Sequence, residues 1–285
     1  MSINEISKNP QFNGEKIFQA FKYTLYLFLI FNVYFFFTED YAASAQTFSN
    51  GVSFDQIIPA YTATIDTAAW VVLLLLFELE TYVLDDDQIK GTTKLSMNML
   101  SLLCYSFIVY SFYGYLSKYF LVNTVIPFTI DDACSLVNSS FTYIESLDEY
   151  LPITVENCQA LLNTSLFQIE GTKIISNNFH LVEAQRLALV DVINSANWLV
   201  IVIILDGEVF LQLRGKLTNK IISINKWIKI VLYSILFIAA IYWGFKGDFF
   251  DFWDAFLWIV AFIFIELNIF EWNAETQENE LEKTS

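Results

Sequence analysis

The chain has 285 residues, 55% of them hydrophobic and 18% aromatic, with 28 Phe and a formal net charge of -16. That much apolar surface is more than an ordinary soluble domain of this length buries, so the excess calls for lipid. The 31 acids against 15 Lys and Arg leave no basic surface of the kind a nucleic-acid partner needs, which argues against that class.

In chain order, six apolar segments stand out: Ile17 to Phe37, Ala68 to Leu84, Leu95 to Leu116, Val192 to Leu213, Trp227 to Phe245 and Ala255 to Trp272. Each holds about 17 to 22 residues, which at ~1.5 Å per residue spans a hydrocarbon core of ~30 Å. They lack the strict alternation of a barrel strand, and a helix satisfies its own backbone in lipid, so six transmembrane helices are predicted. With the N-terminus inside, the cytoplasmic segments carry eleven Lys and Arg, while the other side keeps Lys118, Lys173, Arg186 and Lys246. Both termini are therefore expected in the cytoplasm. A cleaved signal peptide is the rival reading of the first segment, because Ala43-Ser44-Ala45 has the small-x-small form. The length of the apolar run and its place in the repeat below favour retention.

Between the third and fourth segments, residues 121–190 form one sizeable polar stretch on the extracytoplasmic side, expected to be small and α-rich. Cys134 and Cys158 fall there and are expected to form a disulfide, whereas Cys104 lies in an apolar segment as a buried thiol. Gly171 reads as a turn between two short strands, and from about Asn178 a helical pattern runs towards the fourth segment. The tail after Trp272 is polar and acidic.

The even-numbered segments share a pattern, [DN]-x3-W-x7-[DE]-x-[EN]-x-[YF]. Its matches are Asp66, Trp70, Glu78, Glu80, Tyr82; Asn194, Trp198, Asp206, Glu208, Phe210; and Asp254, Trp258, Glu266, Asn268, Phe270. The odd segments open with a weaker echo: Lys22 and Tyr26, Lys94 and Asn98, Lys229 and Tyr233. Three identical spacings imply three tandem helical hairpins in pseudo-threefold arrangement, over residues 1–87, 88–216 and 217–272. The predicted fold class is thus an all-α integral membrane protein with six transmembrane helices.

Glu78 lies ~18 Å along the helix from Asp66, in the inner half of the core. An ionised carboxylate there costs at least ~2.5 kcal/mol, so these acids must face protein, water or one another. Two arrangements satisfy that. In the first, Glu78, Asp206 and Glu266 form an inner acidic ring, assisted by Glu80, Glu208 and Asn268 and by the polar groups Tyr26, Asn98, Ser101, Tyr233 and Ser234. In the second, Lys22, Lys94 and Lys229 snorkel to the acids and zip neighbouring helices together. Trp70, Trp198 and Trp258 are read as an outer-interface belt, with Asp66, Asn194 and Asp254 at the same level and the two Asp as helix N-caps.

There is no Gly-rich phosphate loop, no His pair and no nucleophile with a base at usable spacing, so neither enzymatic activity, a cofactor nor a metal is expected. The expected function is a channel or transporter for protons or small monovalent or divalent cations. The alternative is a non-catalytic scaffold or sensory subunit whose extracytoplasmic region binds a partner, either a second copy or another membrane protein.

Overall fold

The computed structural model describes residues 10–48, 51–80, 84, 90–162, 164–247 and 249–265. Helices dominate: α1 (Pro10–Thr47), the short α2 (Ile57–Ala60), α3 (Thr62–Glu78), α4 (Thr92–Asn123), α5 (Asn178–Leu213), α6 (Asn219–Lys246) and α7 (249–265). Among the described residues, four of them are long and apolar enough to cross a bilayer, and a fifth span results if α2 and α3, bent by 77°, count as one.

α1 shows why these helices suit apolar surroundings. Its buried positions include Lys22, Leu25, Tyr26, Leu29, Asn32, Phe36, Asp40 and Ser44, spaced three or four apart along one face. The opposite face presents Leu27, Phe31 and Tyr34, each more than half exposed. A helix with polar groups inside and aromatic and aliphatic groups outside is stable where the surroundings are apolar. An aromatic seam joins α1 to α7, through Phe18–Phe264, Phe28–Trp253 and Phe35–Phe250. The central core draws Leu25 and Leu29 from α1, Leu74 from α3, Ile201 and Leu205 from α5, Leu236 from α6 and Ala261 from α7.

α3 begins after a break at Tyr61, which offers no side-chain cap. Asp40 of α1 supplies one instead: its Oδ2 accepts from the Thr64 backbone N at 2.9 Å and from Thr64 Oγ1 at 2.6 Å. A carboxylate at a helix N-terminus satisfies free N–H groups and meets the positive end of the dipole. This start places Asp66 inside α3, and Asp254 likewise lies inside α7. Neither residue is the N-cap expected from the sequence.

Close packing of α3 on α4 rests on Gly114. A Cβ there would overlap the Thr62 side chain, at Oγ1 and at Cγ2 (2.9 Å). Gly114→Ala is expected to lower thermal stability by about 1–3 kcal/mol through overpacking. Gly207→Ala in α5, whose added Cβ meets nothing within 4 Å, should raise it by up to ~1 kcal/mol. Melting of both variants in detergent checks the contrast, and equal effects would contradict it.

Residues 121–190 are not α-rich. They fold into a five-stranded sheet of order β1-β4-β5-β2-β3, with β1 (Val125–Phe128), β2 (Thr142–Ser146), β3 (Glu149–Pro152), β4 (Leu166–Ile169) and β5 (Ile174–Asn177). Neighbours are antiparallel except β2 and β5. The runs are four or five residues long, too short for a stable helix, and rich in Ile, Val, Thr, Phe and Tyr, which favour a pleated surface. Gly171, at φ 78°, turns β4 into β5, where a side chain would be strained.

One face of the sheet, with Ile144, Ile169 and Ile174, packs on Val122 of α4 and on Leu181, Ala184 and Ala188 of α5. The sheet is thereby rooted on the helices that flank it. Ile175 packs in a second cluster beside Ile153 and Leu161 and the Cys134–Cys158 disulfide. That crosslink spans 24 residues, worth ~3 kcal/mol in the chain-entropy treatment. Cys104 is a buried free thiol.

Candidate functional site

The two ends of the bundle differ in how they treat their charges. At the end away from the sheet, each buried acid among the described residues has a local cation. Glu78, 4% exposed, accepts from Lys22 Nζ at 2.5 Å, Tyr23 OH at 3.3 Å and Tyr26 OH at 3.2 Å, all from α1. Glu208 accepts from Lys229 Nζ of α6 at 3.0 Å. Asp206, two residues earlier and exposed, lies beside Tyr105 of α4. Glu80 is also exposed.

Residues two apart on a helix point in nearly opposite directions, so members of one acidic pair cannot share a wall. The two described members of the expected inner ring, Glu78 and Asp206, thus have their partners on α1 and α4 respectively, and the assisting Glu208 has its partner on α6; Glu266 and Asn268 lie outside the described residues. Of the polar groups expected to support a ring, Tyr26 bonds Glu78, and Tyr233 sits edge-on to Trp198 at 6.5 Å. Ser101 is half-buried, Asn98 is exposed, and exposed Ser234 donates to Ile230 O of its own helix.

Towards the sheet, the outer members of the shared sequence pattern meet. A cavity of about 630 Å³ opens between α1, α3, α4, α5, α6, α7 and the β2–β3 hairpin. Asp66, Asn194 and Asp254 line it, with Trp70, Trp198 and Trp258 one turn deeper. The indoles expected as an interfacial belt pack against one another. Trp70 lies 6.3 Å from both Trp198 and Trp258 between ring centroids, and Phe262 packs on Trp198 at 4.5 Å, so the rings close the cavity floor. The reason is helical spacing: four residues on from a wall-lining Asp or Asn, a side chain faces the same interior.

The walls are acidic. Glu39 and Asp40 come from α1, Asp66 from α3, Asp148 and Glu149 from the hairpin, Asp191 from α5, and Asp251 and Asp254 from α7; Lys118 of α4 is the one cation among the described lining residues. Lys118 Nζ donates to Asp148 Oδ2 at 2.5 Å and has Asp40 and Asp191 within electrostatic range. Other carboxylates are oriented by neutral donors. Asn32 Nδ2 donates to Asp254 Oδ1 at 2.7 Å, Trp243 Nε1 to Asp191 Oδ1 at 3.2 Å, and Tyr115 OH to Asp66 Oδ2 at 3.3 Å. Asp66 Oδ1 is buried with no hydrogen-bond partner. In the hairpin, burial and then Asp148 hold the Tyr150 hydroxyl well above the usual tyrosine range, so it stays a neutral donor. A concave wall of one sign focuses its field and concentrates cations.

Several of these residues carried no flag in the sequence. Asn32 lies in the first apolar segment, where only Lys22 and Tyr26 were singled out, and Asp40 lies three residues past its end; standing eight apart, the two share a face, and that spacing was the signal available. Asp191 and Asp251 each stand three residues before a repeat position, which puts them on the same face. Lys118 and Tyr115 had no comparable pattern.

No protein-family model matches the chain, and no characterised protein or solved structure is significantly similar to it.

Proposed function

We propose that the protein is a multi-pass membrane protein that binds a small cation in this acidic, tryptophan-floored cavity and passes it towards the other side, as a channel or transporter. One observation carries the reading: Asp66, Asn194 and Asp254, equivalent in the repeat, line a single cavity above the equivalent Trp70, Trp198 and Trp258. That meeting also favours three hairpins about a pseudo-threefold axis. The Lys and Arg count favours an orientation with the sheet and cavity mouth outside and both termini in the cytoplasm. On this reading the Lys22–Glu78 and Lys229–Glu208 pairs close the inner half in an outward-facing state, and the inner acids serve as a gate rather than an open ring.

The same two buried pairs favour a second reading, a locked scaffold or sensory subunit whose sheet binds a partner. Proteoliposome flux separates the two. Asp66→Asn with Asp254→Asn is expected to cut proton or monovalent-cation flux more than tenfold with little change in melting temperature. Wild-type liposomes no leakier than empty ones would instead leave the scaffold.

A further inference from the structure

Resting on the cation-site reading, we propose that the cavity's ligand is an organic ammonium ion, a protonated or quaternary amine, rather than a metal ion. A metal site gathers carboxylates around one point, with oxygens at ~2–2.6 Å from the ion. Here, among the described residues, no three His, Cys, Asp or Glu side chains are grouped closely enough to hold a metal. The acids are instead spread around the wall of a chamber of about 630 Å³. At ~30 Å³ per water that space holds on the order of twenty waters, far more than a bare ion occupies, and it falls in the usual range for organic ligands.

The floor points the same way. Trp70, Trp198, Trp258 and Phe262 line the cavity, and such aromatic surface attracts an alkylated cation and suits its carbon skeleton. A strongly hydrated inorganic ion gains little from such a surface. The carboxylates above have one oxygen held by a neutral donor, as in Asn32 to Asp254 and Tyr115 to Asp66. The Trp70 and Trp258 side chains bond to the same two carboxylates, and the lone pairs that still face the cavity suit the N–H groups of an amine. The wall also contains a tethered example of the ligand chemistry. Lys118, an alkylammonium, sits among Asp148, Asp40 and Asp191.

The test uses the full chain in nanodiscs, titrated with ethylammonium, putrescine or choline, with sodium and calcium at matched ionic strength, and with 1,4-butanediol as a neutral control. Intrinsic tryptophan fluorescence and melting temperature are read together. At least one organic cation is expected to saturate at a tenfold or more lower concentration than sodium or calcium, and the diol to have no effect. Asp66→Asn with Asp254→Asn should abolish that response. Trp70→Leu, which keeps every carboxylate, should weaken the organic cation at least fivefold and leave any sodium response unchanged. Saturation by sodium or calcium alone, lost in the Asn variant, would overturn the ammonium assignment and leave the cation site standing. No saturable response to any cation would overturn both.

Discussion

Lys22→Met is expected to destabilise the bundle by about 3–5 kcal/mol, because it leaves the Glu78 carboxylate buried without its cation. Lys22 is 1% exposed and Glu78 4%, so neither has water to fall back on. Tyr23 and Tyr26 still donate to Glu78, but both bonds are already present in the wild type, so they add nothing to offset the lost partner charge. The double variant Lys22→Met with Glu78→Leu removes the orphaned charge as well as the pair, and replacing both partners of a buried pair by apolar groups is often neutral. It should recover most of the loss. Chemical or thermal unfolding in one detergent reads both variants. A single variant as stable as wild type would mean that water reaches Glu78, as an open inner pathway requires.

Trp198→Ala has a comparable expected cost, about 3–5 kcal/mol from the void it leaves. Trp198 is 9% exposed and touches Trp70, Phe262 and Tyr233, which belong to α3, α7 and α6. Removing it unseats three helices and breaches the cavity floor. Proteoliposomes carrying this variant should therefore leak protons or monovalent cations faster than wild type, although the protein is less stable. Trp227→Ala is the control: Trp227 is 67% exposed on α6, so its loss should stay within ~0.5 kcal/mol. Equal effects from the two tryptophans would mean that the three-indole cluster does not seal the chamber.

The long apolar helices were legible because segment length and a lack of charge report directly on the solvent around a helix. Residues 121–190 were not legible as a sheet. Four-residue strands such as Leu166–Ile169 carry too few alternations to set period two against period 3.6, and only the Gly171 turn gave a local signal. The repeat placed Asp66, Asn194 and Asp254 on equivalent helix faces but could not say which end of that stripe would converge. That outcome depends on Lys22 and Lys229, whose reach to Glu78 and Glu208 is a matter of helix neighbours and not of spacing within one helix. The packing of the tryptophans was hidden for a related reason: indoles near a helix end suit both an interface belt and a packed interior. The decision falls to the partner helix, and the aromatic seam between α1 and α7 turns Trp258 inward.

The most direct test of the cation cavity is chemical labelling of its carboxylates. Intact proteoliposomes treated with a water-soluble carbodiimide and glycine methyl ester, then digested and mapped by mass spectrometry, report which acids meet solvent and whether a cation covers them. Labelling is expected at Asp66 and Asp254, falling at least fivefold when the cation that best shifts the melting temperature is present, with Glu78 unlabelled throughout. Labelling of Glu78 in preference to Asp66 and Asp254, or labelling of the latter pair that no cation alters, would contradict the account.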